Sequence, residues 1–117
     1  MHTVCETFVF QSAAADAGMT DDEIAAFVNA VAEDPDIGAI MPGTGGCRKV
    51  RFAKPGKGKS GGYRIITFFT GENLPVFLLT VFGKGEKANL TKAERNGLEK
   101  LTKALVEEYR KRVVSVG

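Results

Sequence analysis

Two four-residue signatures frame this chain: Thr20-Asp21-Asp22-Glu23 and Thr91-Lys92-Ala93-Glu94. In each, the threonine hydroxyl can accept from the backbone N–H three residues on. The glutamate can reach back to the threonine N–H, so the pair caps the first turn of a helix. Met19 and Ile24 add a hydrophobic staple to the first, and Asp21 and Asp22 suit the positive end of its dipole. Ile24, Phe27, Val28 and Val31 then repeat at helical spacing, which predicts a helix over 21–33. Leu98, Leu101, Leu105 and Tyr109 follow the second box and predict a helix over 92–112, with Lys92, Arg95, Lys103, Arg110 and Lys111 on its wet side.

The β-rich runs lie before and between these helices. Residues 4–10 (VCETFVF) read as a strand and 13–18 as a loop or ragged helical turn. Pro35 can open a second, short helix over 35–40, which the glycine-rich run from Pro42 to Gly46 ends. Residues 48–54 alternate: Arg48, Val50, Phe52 and Lys54 share one face, and Lys49, Arg51 and Ala53 the other, wetter one. Residues 63–70 and 74–83 read as an antiparallel hairpin around Gly71-Glu72-Asn73. The expected order is β-α-α-β-β-β-α. It describes an α+β fold with two N-terminal helices and one C-terminal helix on one face of a small, twisted, mostly antiparallel sheet. At 117 residues the chain reads as a single domain over 1–117.

The net charge of +2 conceals a segregation. Residues 1–36 carry eight carboxylates and no Lys or Arg. Residues 37–71 carry no carboxylate at all, and within them lie Arg48, Lys49, Arg51, Lys54, Lys57, Lys59 and Arg64. Such a surface suits a polyanion, although the acidic segment could also neutralise it after folding. No apolar run approaches the roughly 20 residues needed to span a bilayer, and no secretory signal is evident, so a cytoplasmic location is expected. Cys5 and Cys47 are too few for a disulfide scaffold or a four-ligand metal site and read as reduced thiols.

Two nucleotide-binding patterns are only apparent. Residues 53–60 (AKPGKGKS) fit a loosened P-loop and residues 56–61 fit GxGxxG, but a β run follows where a phosphate-binding helix should begin. The only histidine, His2, lies in what reads as a frayed terminus, so chemistry must come from Lys, Arg or backbone amides, with no metal or other cofactor. Such groups can still cleave RNA, because its own 2′-OH attacks the adjacent phosphate. Arg and Lys stabilise the charge that builds on the phosphate oxygens. A lysine crowded by like charges has a lowered pKa and can act as base. Lys59, Arg64, Lys84 and Lys87 are the candidate catalytic residues, and Arg48, Lys49, Arg51, Lys54 and Lys57 the candidate RNA-binding ones.

The run GTGGCRKVRFAKPGKGKSGGYRIITFF, followed by LPVFLLTVFGKGEKANLT, resembles the RelE/HigB group of toxins from prokaryotic toxin–antitoxin pairs. With the acidic helix before it and the closing helix, the resemblance takes in nearly the whole chain. It implies the RelE-like fold and a metal-free endoribonuclease that cuts mRNA in the ribosomal A site and so inhibits translation. It places a catalytic arginine at Arg64 and basic groups at Lys84 and Lys87. It also implies a cognate antitoxin: an acidic partner over the basic groove and a helix-turn-helix protein that wedges elsewhere are both compatible. Where family members often carry tyrosines, this chain has Thr67, Phe68, Phe69 and Phe82, which leaves the proton donor to the leaving group unassigned. The related ParE branch poisons DNA gyrase, and the basic cluster favours RNA cleavage over gyrase binding; a non-catalytic nucleic-acid-binding protein would use the same basic surface.

Overall fold

The chain enters its sheet through a three-residue strand, β1 (Val4–Glu6), and leaves it at once for helix α1 (Phe8–Ala17). The computed structural model describes residues 2–53, 62–71, 73–83 and 90–112. Thr7 makes the switch. Its hydroxyl accepts from the Phe10 N–H at 3.1 Å, capping α1, and donates to the Leu78 carbonyl at 2.8 Å, tying the cap to the sheet. The strand expected over 4–10 is therefore cut to its first half. Helix formation turns Phe10 and Ala14 into the core and leaves Phe8 and Val9 outside. His2 is not frayed: its N–H bonds the Ala32 carbonyl at 2.9 Å and its ring meets Phe69 edge-on at 5.1 Å.

Helix α2 (Asp21–Glu33) begins at the expected capping box, with both reciprocal bonds formed at 2.9 and 3.1 Å. Residues 35–40 are not a helix. They make a turn and then a two-residue strand, β2 (Ala39–Ile40), paired antiparallel with β3 (Cys47–Phe52). Gly38 decides this: its φ of +94° is left-handed, and a Cβ there would lie 2.6 Å from the Lys49 carbonyl oxygen. Only glycine fits so close to the neighbouring strand.

Strands β4 (Tyr63–Phe68) and β5 (Val76–Phe82) complete a mixed five-stranded sheet of order β1-β5-β4-β3-β2. Among the described residues only the β1–β5 pair is parallel. Helix α3 (Lys92–Arg112) opens with its own capping box, Thr91 and Glu94 exchanging bonds of 2.8 and 3.1 Å.

The helices do not share a face of the sheet, as the sequence suggested. Helices α1 and α2 pack on one side, where Phe10, Phe27 and Val31 meet Val50, Tyr63, Ile65, Leu78 and Val81. Helix α3 packs on the other, Leu98, Leu105, Val106 and Tyr109 lying against Cys47, Ile66, Phe68 and Phe77. Leu101 is exposed, and Thr102 takes its place in the buried stripe. Strands β4 and β5 read as nearly continuous apolar runs because both of their faces are covered.

Candidate functional site

Strand alternation puts Lys49 and Arg51 on the α3 side of the sheet, away from Val50, and the register with β4 adds a third cation. Arg51 stands directly opposite Arg64. In an antiparallel pair that means one face and Cα atoms about 5 Å apart. Like charges so placed destabilise a sheet. Among the described residues neither arginine forms an ion pair, and neither is buried. The arrangement costs folding energy, and an anion bound between the two guanidinium groups would offset it.

A β-bulge completes the row. Thr67 pairs with Leu78 but Ile66 pairs with Thr80, so Leu79 is an extra residue on β5. The bulge reverses the parity beyond it, sending Val81 into the α1/α2 core and setting Phe82 opposite Arg64. Bulges commonly re-aim side chains in this way beside functional sites.

The ends of the described segments converge here too. Ala53 follows β3, Gly62 precedes β4 and Gly83 follows β5, and the β3–β4 and β4–β5 registers place all three at the same end of the sheet. Gly62 allows the closest approach, since a Cβ on it would meet the Phe52 carbonyl oxygen at 2.7 Å. Lys54, Lys57 and Lys59 fall between Ala53 and Gly62, and Lys84 and Lys87 follow Gly83; these five lie outside the described residues. Strand β4 begins at Tyr63, antiparallel to β3, so the P-loop-like string joins two strands of one sheet rather than a strand and a helix.

Arg48 lies apart from this row. It faces the other side of the sheet and is held by the 34–38 turn, donating to the carbonyls of Asp36 and Gly38 at 3.0 and 3.1 Å and pairing with the Asp36 carboxylate at 3.6 Å. Lys49 is half-buried beside Ala39, its partner across β2–β3.

Neither tyrosine is placed to act with Arg64. Tyr63, on the opposite face, donates to the Glu23 carboxylate at 3.0 Å, and burial together with that carboxylate pushes its phenol up to about 12. Tyr109 packs edge-on against Phe77, at the other end of β5. His2 is also distant, because Phe69 follows the far end of β4. Of the four positions that lack the family's tyrosines, Phe68 and Phe82 share the Arg64 face, and Phe82 is its direct neighbour. Among the described residues no three His, Cys, Asp or Glu side chains come together as metal ligands would. Sequence reasoning placed Arg95 on the wet side of α3, yet its Nε is buried and without a hydrogen-bond partner. Its position in the first turn, beside Leu90, was the available signal.

A family model described as the RelE toxin of the RelE/RelB toxin–antitoxin system matches residues 3–116. The chain belongs to the RelE toxin family. It is thus a toxin of a toxin–antitoxin system, and the three helices and mostly antiparallel five-stranded sheet among its described residues agree with the RelE-like fold. No helix among the described residues is long and apolar enough to cross a membrane.

Proposed function

We propose that this RelE-family toxin is a ribosome-dependent endoribonuclease that cuts mRNA in the A site, in the cytoplasm, and is held in check by its cognate antitoxin. The observation that carries the reading is the Arg51–Arg64 pair: two cations opposed on one face, without a carboxylate to pair with among the described residues. That is the arrangement a phosphate in transit needs, and membership of a toxin family whose resemblance implies RNA cleavage supports it.

In the proposed reaction the 2′-oxygen attacks phosphorus, its proton passing to the amine of a lysine in its neutral form. The bond from phosphorus to the 5′-oxygen breaks, leaving a 2′,3′-cyclic phosphate and a 5′-hydroxyl. Arg64 stabilises the charge on the non-bridging oxygens, and one fixed donor of this kind is worth roughly 3–4 kcal/mol of barrier. Lys59, Lys84 and Lys87 are the proposed catalytic lysines. The 5′-oxygen takes its proton from this basic set, since both phenols and the imidazole are engaged elsewhere. Arg51, Lys49, Lys54 and Lys57 hold the flanking backbone; Arg48, expected among them, is instead engaged with Asp36 on the opposite face of the sheet. No metal or cofactor is part of this scheme.

Primer extension on mRNA after brief induction tests the proposal. New 5′ ends inside translated frames support it, and Arg64→Ala should abolish them while the fold is kept. Growth arrest with intact mRNA and broken DNA would instead place the protein with the gyrase-directed branch.

A further inference from the structure

Beyond the arginine pair, the α3 face continues into a hollow of about 220 Å³ between β2, β3 and the first turn of α3. Met41, Pro42 and Leu90 give it apolar walls, and Lys49 and Arg95 are its charged lining; among the described residues none that lines it is acidic. A second depression shares Pro42, Leu90 and Arg95 and adds Lys92 and Asn96. Three features mark the place as built for an anion. The Arg95 Nε is buried with no partner among the described residues, where a guanidinium ordinarily finds one. Lys92 and Arg95 stand in the first turn of α3, where cations oppose the helix dipole. The acid of that turn, Glu94, exchanges the capping-box bonds with Thr91.

We infer that this hollow is a second nucleotide subsite, with Arg95 and Lys49 holding the phosphate adjacent to the one between Arg51 and Arg64, and Met41, Pro42 and Leu90 receiving its base. Lys49 and Arg51 are two residues apart on β3, about 7 Å along the strand, the scale of one nucleotide step. An apolar wall beside paired cations fits a splayed, single-stranded nucleotide better than a duplex, whose bases stay stacked. The inference rests on the ribonuclease reading for its substrate, but binding decides it whether or not the message is cut.

The test uses the full-length protein and a short single-stranded RNA carrying 2′-O-methyl groups, which can bind but cannot be cut. Adding it to the wild-type protein should shift the amide resonances of Ala39, Met41, Leu90 and Arg95 along with those of Arg51 and Arg64. Arg95→Gln should weaken binding several-fold and lower the slope of log K against log salt by about 0.7, one single-strand phosphate contact. Arg95→Lys should restore most of that slope. On cleavable message, Arg95→Gln should raise KM and leave kcat near wild type. Resonance shifts confined to β3 and β4, or an Arg95→Gln protein that binds this RNA like wild type, would overturn the subsite. So would an Arg95→Gln variant that loosens only the antitoxin complex. Shifts in the hollow from a protein that never cuts message would uphold the subsite and remove the nuclease reading.

Discussion

Arg64 and Arg51 set folding against function at the scale of single residues. Removing either charge relieves a cross-strand repulsion of about 0.2–1 kcal/mol. Arg51→Thr should therefore hold or slightly raise the denaturation midpoint while mRNA cleavage falls, a divergence that a purely structural arginine would not produce. Tyr63 does the reverse, since its phenol joins β4 to Glu23 of α2. Tyr63→Phe should cost about 1–3 kcal/mol in urea unfolding and leave cleavage per folded molecule unchanged. The same burial shapes the alkaline limit. Burial pushes the Cys47 thiol up to about 11 from 9.0, and Tyr63 goes up to about 12 from 10.0. Both groups are neutral in the folded state, so the stability they contribute is complete below pH 9 and is lost as pH rises through 11 and 12. Urea midpoints measured from pH 8 to 12 should fall across that window, and less steeply above pH 10 in Tyr63→Phe.

Caps and turns govern the elements. Thr20→Ala removes the hydroxyl half of the α2 capping box and should cost about 1 kcal/mol of unfolding free energy. Gly38→Ala should cost more, about 1–3 kcal/mol, because it forces a side chain into left-handed backbone against the Lys49 carbonyl. These two positions also show what the sequence could reveal. Helices α2 and α3 were legible because capping boxes act locally. Helix α1 was hidden because Phe8, Val9 and Phe10 favour strands. What overrides that preference is the Thr7 cap and its bond to Leu78, which is 71 positions away in the chain. Pro35 suggested a helix start, but Gly38 folds against β3, a contact that no local pattern encodes.

For the molecule as a whole, the order of elements reads from periodicity, and the division of helices between two faces does not. Apolar runs such as β4 and β5 say that both faces are covered, but not by which helix. The basic character of the surface was legible from the acid-free run 37–71, and alternation in β3 put Lys49 and Arg51 together. The opposition of Arg51 and Arg64, and the bulge that brings Phe82 beside them, depend on strand register, which no spacing discloses. The sheet thus separates an acidic helical layer from a face carrying opposed arginines, an arrangement that suits capture of an anionic chain.

That claim is tested most directly with purified ribosomes stalled on a defined message with an empty A site. On adding the wild-type protein, a new 5′-hydroxyl end should appear within the A-site codon. Arg64→Ala, folded to the same circular dichroism spectrum, should leave the message whole. Equal cutting by Arg64→Ala, or an uncut message with active wild-type toxin, would contradict the account.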